Sequence, residues 1–300
     1  MLLALVAQRR TATNVALAAA APRGVDARIL SPEQAASLLH PGAVALGRLD
    51  VTDGLDGVED GLWALGSLAA RGVRVLNRAG ALLAAHDKLL TAKVLQRSGL
   101  PHPRTRVLHP GDPVPDWDGP LVVKPRFGSW GRDVERCDDE IAFRRHLRLL
   151  EHRLWFQRHG ALLQELVSPA GADLRVVVAG GVAVGAISRI AAPGEWRTNI
   201  SLGGTRVPVE PPPAALELAL RAAAALGGAE LLGVDLLPDG AGGWTVLELN
   251  GAVDLTREYR LDRDPFVAAM AELVRVAAHD REALSPEQLP LAATGSDGAP

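Results

Sequence analysis

Three oxygen donors at close spacing stand out first in this 300-residue chain. Leu231-Leu232-Gly233-Val234-Asp235 and Glu248-Leu249-Asn250 carry apolar residues at strand length. Pro238-Asp239-Gly240-Ala241-Gly242-Gly243 between them reads as a hairpin connection. Side chains alternate along a strand, so Glu248 and Asn250 share a face, and strand pairing can bring Asp235 to it. Two carboxylates and an amide carbonyl are hard ligands suited to Mg²⁺, which also takes the phosphate oxygens of a nucleotide. Taken alone, Asp235 reads equally as the charged edge of a hairpin. Set together in apolar strands, the trio favours a metal, because unpaired buried acids are costly.

Other residue patterns suit an anion. Of 32 basic residues only three are lysine, Lys88, Lys93 and Lys124, so each invites a reason. Lysine is a compact point charge on a flexible stem, well matched to phosphate; Lys93 stays unassigned. Lys124 ends the run Val122-Val123-Lys124-Pro125, and Arg126-Phe127-Gly128-Ser129-Trp130-Gly131-Arg132 follows as a glycine-bearing loop. Such loops bring backbone N–H groups close to an anion. Gly-Lys-Ser/Thr is absent, so this is not a P-loop, and alone it is also an ordinary turn. Asp87-Lys88 opens a helix and could present its lysine to the same phosphates, or be a cap and a surface charge. Gln164-Glu165-Leu166-Val167 ends a strand and could offer backbone groups to a purine edge. Glu195-Trp196-Arg197-Thr198-Asn199-Ile200-Ser201-Leu202-Gly203-Gly204, with Arg189 upstream, joins two guanidiniums and an amide. That combination could clamp a transferring phosphoryl group or be a long surface loop.

The elements that must position these groups fall into α/β order. Strands are expected at 2–7, 25–30, 43–49 and 73–76, with helices at 12–21, 32–39 and 61–71, a rhythm that argues a parallel sheet. No G-x-G-x-x-G follows the first strand, so a dinucleotide fold is not indicated. A helix capped by Asp87 should end near Ser98-Gly99, before Pro101 and Pro103. A strand at 121–124, a helix at 139–153 and a strand at 162–167 should follow. Strands at 174–179 and 182–189 are joined by Gly180-Gly181, a strong hairpin signal. After Pro211-Pro212-Pro213 come a helix at 214–226, the hairpin of the oxygen donors, and a last helix at 264–278. Four segments are expected: 1–86 as an N-terminal α/β domain, 87–180 and 181–280 as two α+β subdomains, and 281–300 as a flexible tail.

Composition narrows the function. A hydrophobic fraction of 48% supports a globular core, and a formal charge of −3 gives no general attraction to nucleic acid or a membrane surface. Cys137 is the single cysteine, which excludes a disulfide framework or a thiolate metal cluster. Met1-Leu2-Leu3-Ala4-Leu5-Val6-Ala7 lacks a positive leader and reads as a buried strand, so a cytoplasmic protein is expected.

In order along the chain, Lys, Lys-Pro, Gly-rich loop, Gln-Glu, Asp-x-Arg, Arg, Arg-x-Asn, Asp and Glu-x-Asn together resemble the ATP-grasp superfamily. More narrowly, they resemble the amino-acid ligases that include the RimK glutamate ligases and the LysX lysine-biosynthesis ligases. Residues 75–255 carry the likeness, and Gly128-Ser129-Trp130-Gly131-Arg132 and Trp196-Arg197-Thr198-Asn199 are more similar to LysX. The resemblance implies an ATP-grasp fold whose two subdomains clasp ATP. It implies that Lys88 and Lys124 contact phosphates under a flexible loop of Gly128, Ser129, Trp130 and Gly131. Gln164, Glu165, Leu166 and Val167 would hold adenine, and Asp173 the ribose or an adjoining polar group. Arg189, Arg197 and Asn199 would face the γ-phosphate and an acyl phosphate. Asp235, Glu248 and Asn250 would hold two Mg²⁺, with Mn²⁺ an alternative.

The implied activity joins an amino acid to a Glu-type carboxylate of a small molecule, peptide or carrier protein through an acyl phosphate, in a dimer or tetramer. A non-catalytic ATP-binding regulatory module is the alternative, disfavoured by the intact oxygen trio. An RNA-binding role for the arginine-rich 144–158 stretch is disfavoured by overall acidity. That stretch could instead dock an acidic carrier protein, or form the solvated face of a helix whose apolar stripe is Phe143, Leu147, Leu150 and Leu154. Where relatives continue Ser-x-Pro-Gly after the Glu-x-Asn, this chain reads Gly251-Ala252-Val253-Asp254, beside the expected acceptor position.

Overall fold

A computed structural model describes residues 1–116, 119–167 and 171–282. Three sheets organise them. The first is parallel, in the order β2 (Asp26–Leu30), β1 (Leu2–Val6), β3 (Val44–Gly47), β4 (Arg74–Leu76). Its central strand is the apolar N-terminus, buried on both faces as parallel strands are. Helices α1 (Ala12–Ala19), α2 (Pro32–Leu38) and α3 (Leu62–Ala70) alternate with these strands. Ser31 caps α2 through Gln34 N at 3.2 Å, and the Gln34 side chain returns the bond.

Two helices then lead into the second sheet. Helix α4 (Ala79–His86) was not expected from the sequence: its alanines and leucines surround the axis, so no 3.6-residue stripe marks it. Asp87 ends it and caps α5 (Lys88–Arg97), accepting from Leu89 N and Leu90 N. The second sheet runs β5 (Thr105–Leu108), β8 (Ala161–Glu165), β6 (Leu121–Pro125), β7 (Glu135–Cys137), all antiparallel. The helix expected at 139–153 is α6 (Glu140–Leu150), capped by Asp139, and a further short helix, α7 (Leu154–His159), follows it. Phe143 and Leu150 are buried, but Leu154, at the start of α7, is exposed rather than on the stripe.

The third sheet is antiparallel, in the order β11 (Thr205–Pro208), β10 (Val182–Ile190), β9 (Ala172–Ala179), β12 (Leu231–Pro238), β13 (Trp244–Asn250). The β9–β10 hairpin turns at Gly180 and Gly181, both with positive φ, as the glycine pair demands. This hairpin bridges the 180/181 division expected from sequence. Helix α8 (Pro213–Leu226) covers one face of the sheet. Helix α9 (Pro265–Glu282) supplies Met270 and Leu273 to a core shared with Leu3, Leu46 and Leu76 of the first sheet and Val177 and Ile187 of the third. The tail expected at 281–300 lies outside the described residues from 283 onward. No described helix is long and apolar enough to cross a membrane.

Asn77 ties the first sheet to the third. Fully buried and at φ 51°, it donates from Nδ2 to Leu231 O (2.8 Å) and Gly251 O (3.1 Å), and its Oδ1 accepts from Leu231 N (2.9 Å). Asparagine tolerates this left-handed backbone.

Candidate active site

A cleft of about 900 Å³ opens between the second and third sheets. Lys124 enters it from β6, buried, and donates to Gln164 Oε1 at 2.7 Å. Burial pushes the Lys124 ammonium down to about 8, with Glu248 opposing that shift. Gln164 is itself held by Thr105 Oγ1 at 2.9 Å. Lys88, at the first turn of α5, donates to Gly128 O (2.6 Å) and sits 3.1 Å from Glu248 Oε2. The Lys88 amine thus connects the glycine loop of the second sheet to the acid on the third.

The facing surface is a charged mosaic set by strand register. Asp235 on β12 lies directly opposite Glu248 on β13 and opposite Arg175 on β9. Asp173, two residues before Arg175, lies opposite Arg189 on β10, which lies opposite Arg206 on β11. Direct partners and residues two apart share a face. Asp235, with no solvent exposure, accepts from Arg175 Nε and Nη2 at 2.6 Å each and from Arg189 Nη2 at 2.7 Å. Burial alone would raise its pKa, but the two guanidiniums outweigh that and hold the carboxyl well below the usual range. Asp173 accepts from Arg189 Nε (2.8 Å), from Arg189 Nη2 and from Thr198 Oγ1 (2.6 Å). A β-bulge follows Asp235: Leu236 pairs with Val246, leaving Leu247 as an extra residue. Consequently Leu247 and Glu248, though adjacent, both line the cleft.

Two loops close over these groups. Arg197 Nη1 donates to Gly131 O (3.1 Å) and Val134 O (3.0 Å), and Ser201 Oγ donates to Trp130 O (2.7 Å). Trp130 has φ 62° and is about half exposed at the cleft rim. The hydrogen-bonded Arg197 holds Glu195 down to about 2. Together with Arg189 and Asn199, Arg197 faces the cleft opposite the lysines.

A second cavity of about 630 Å³ adjoins the first and shares Ser129, Trp130, Arg189, Asn199 and Glu248 with it. Asn250, Arg175, Arg206, Asp254 and Asp50 also line it. Gly251 packs against α4 between the lining residues Asn250 and Ala252: a Cβ there would lie 2.5 Å from Leu82 Cδ1.

The oxygen donors fit a divalent ion unequally. Glu248 faces both cavities and its Oε1 accepts no hydrogen bond among the described residues. Asn250, two residues along the same face, leaves its buried Nδ2 unpartnered. Asp235 has both oxygens engaged by arginine. No group of three His, Cys, Asp or Glu side chains able to hold a metal occurs among the described residues. An ion here would therefore draw most of its ligands from nucleotide phosphates, as Mg²⁺ does at such sites.

The structure brings together Lys88, Lys124, Gly128, Ser129, Trp130, Gly131, Gln164, Leu166, Val167, Asp173, Arg189, Arg197, Asn199 and Glu248 around one cleft. Glu165 is exposed and does not line it; Asn250 lines only the adjoining cavity, and Asp235 neither. Asp173 turns its oxygens to Arg189 and Thr198, not toward open space for a ribose. Three arginines of the basic stretch have acidic partners elsewhere: Arg144 with Glu140, Arg153 with Asp133, Arg158 with Asp56. Sequence reading gave no role to Arg175, although it closes the Asp-x-Arg pair, and none to Asp50 or Arg206, which no local pattern marks.

Three sheets with a cleft between the second and third define the ATP-grasp class of architecture. Residues 85–273 match the RimK-like ATP-grasp domain, and the chain belongs to this family. The chain is 30% identical over 193 residues to an alpha-aminoadipate–LysW ligase LysX of Sulfurisphaera tokodaii, covering 63% of this chain and 67% of that one. It is 34% identical over 190 residues to a probable alpha-L-glutamate ligase of Pseudomonas paraeruginosa, covering 61% of each, so it spans less than two thirds of that relative's length. Among solved structures, a D-alanine–D-alanine ligase from Bacillus anthracis complexed with ATP superposes with a TM-score of 0.69 at 16% identity, covering 95% of this chain and 99% of that one.

Proposed function

We propose that the protein is an ATP-dependent carboxylate–amine ligase, joining an amino acid to a carboxylate substrate through an acyl phosphate. The observation that carries this reading is the single cleft lined by Lys88 of α5, Lys124 of β6, Arg189 of β10, Arg197 of the 195–199 loop and Glu248 of β13. Four cations beside two acids, Asp173 and Glu248, suit a triphosphate approached by a second anion, which would otherwise repel each other. A substrate carboxylate oxygen attacks the γ-phosphorus and ADP leaves; an amine nitrogen then attacks the acyl carbon, phosphate leaves, and the amine loses a proton. The lysines hold phosphate oxygens, Leu166 and Val167 flank the base, and the loops carrying Trp130 and Arg197 exclude water. Glu248 and Asn250 would hold Mg²⁺, which supplies charge neutralisation at the phosphates. Two ions, or Mn²⁺ in place of Mg²⁺, suit the same donors.

The names of the relatives support this reading: one couples aminoadipate to the protein LysW and another is a probable glutamate ligase. The carboxylate partner here is a small molecule, a peptide or an acidic carrier. The test is release of ADP and phosphate with Mg·ATP and a panel of amino acids offered with and without candidate carboxylates. Substrate-dependent release with an amide product by mass spectrometry is the expected result; nucleotide binding without turnover across the panel would sink the proposal.

A further inference from the structure

Gln164 lines the nucleotide cleft, yet its side chain is buried and engaged at both ends. Oε1 accepts from the Lys124 ammonium at 2.7 Å. The amide nitrogen points the other way, 2.9 Å from Thr105 Oγ1 and 3.4 Å from His102 Nε2. A primary amide is nearly symmetric in shape, so its neighbours decide which end meets the lysine. Thr105 has one hydroxyl proton, and Pro103 O, an acceptor only, takes it at 2.8 Å. The Thr105 oxygen is left to accept from Gln164. Burial brings the His102 ring down to about 4, so it is neutral and carries one N–H. Its Nδ1 stands 2.8 Å from Val246 O, again an acceptor only, so Nδ1 holds the proton and Nε2 presents a lone pair. Thr105 and His102 both demand a donor, and Gln164 meets that demand only with its NH₂.

Every donor in this chain points away from the cleft: Lys124 to Gln164, Gln164 to Thr105 and His102, and these to Pro103 O and Val246 O. The last acceptor belongs to β13, just before Leu247 and Glu248, and Val246 N returns a bond to Pro101 O at 3.0 Å. Lys124 of the second sheet is thereby tied to the strand of the third sheet that bears Glu248. With both amide hydrogens engaged, Gln164 has no N–H left for a purine edge, contrary to the expectation that it holds adenine. We infer that Thr105, His102 and Gln164 are positioning residues that fix the Lys124 ammonium on the nucleotide phosphates. An amide released from Thr105 and His102 can turn its NH₂ on the ammonium, and two donors face to face displace the lysine. The inference rests on the ligase reading for the identity of the ligand and deepens it.

The test is calorimetric titration of the full chain, with Mg²⁺, by a non-hydrolysable ATP analogue and by tripolyphosphate, which has neither base nor sugar. Thr105→Val keeps the side-chain shape and deletes the acceptor. It should weaken both ligands by about three- to tenfold, the size of one lost hydrogen bond. Thr105→Ser, which keeps the hydroxyl, should restore both affinities to within about twofold of the wild type. His102→Phe should act in the same direction by a smaller factor, because its bond to Gln164 is the longer one. In a Lys124→Met background, Thr105→Val should cost less than about twofold, since a residue that acts through Lys124 then has nothing to hold. A merely structural role would give the same penalty with or without the lysine. That additive result, a Thr105→Ser variant as weak as Thr105→Val, or a loss confined to the ATP analogue overturns the inference and leaves the ligase reading standing. A wild type that binds neither ligand refutes the ligase reading and the positioning role with it.

Discussion

The nucleotide cleft and the cavity beside it draw on different layers of the fold. The cleft is assembled between the second and third sheets, from the end of β6 with its loop, the end of β8, the 195–199 loop, the Leu247–Glu248 bulge and the single residues Lys88, Asp173 and Arg189. The cavity adds the N-terminal layer, with Asp50 and His86 facing Arg206 of β11 and the run Ala252–Val253–Asp254 after β13. Recognising a triphosphate needs backbone N–H groups and a lysine at fixed offsets, which a local segment can supply. The two spaces meet at a seam of Ser129, Trp130, Arg189, Asn199 and Glu248, while each has walls that the other lacks.

Four substitutions test that division, beginning with the largest effect. Asp235→Asn removes the charge facing two buried guanidiniums beneath both halves. It should lower stability by about 3–5 kcal/mol in urea unfolding. Because its carboxyl is held below the usual range, the stabilisation by Asp235 is present above its unfolded pKa near 3.9 and lost as pH falls through the folded value. An unchanged unfolding midpoint would show that Arg175 and Arg189 have other partners. Glu248→Gln, at the seam of the two spaces, should cut ADP release by about 10²- to 10³-fold with circular dichroism unchanged. Full activity would remove Glu248 from the site.

Lys124→Met should weaken ATP by about tenfold or more while leaving amino-acid affinity alone, in line with a lost hydrogen bond to a charged group. The sign of its pH effect follows from burial, which brings the folded ammonium down to about 8 from 10.5. The wild type should lose ATP affinity as pH rises through 8, and Lys124→Met should not. Stability moves the other way: the cost of burying the charge, full below pH 8, is relieved between 8 and 10.5, where the unfolded chain binds more protons. A flat ATP affinity from pH 7 to 9 would remove Lys124 from the phosphates. The smallest effect belongs to Thr13→Val, which deletes the hydroxyl behind Asp254. A loss of about 1 kcal/mol of stability in urea unfolding is expected, with ATP KM unaltered.

Order along the chain determined much of this protein. The alternating apolar runs of the first 76 residues announced a parallel sheet, the glycine pair announced the β9–β10 hairpin, and most of the residues that line the cleft were legible because they sit in local motifs. Tertiary structure alone decided the remainder. It set Asp235 against two arginines, leaving Glu248 as the open acid, turned Glu165 away from the cleft, and folded residues 79–86 into a helix that presses on Gly251. It also brought Thr13, Arg206 and Asp254 into one braced unit. Local periodicity records which face of an element is apolar; it holds no record of which distant side chain will meet a given charge, because that depends on how separate layers pack.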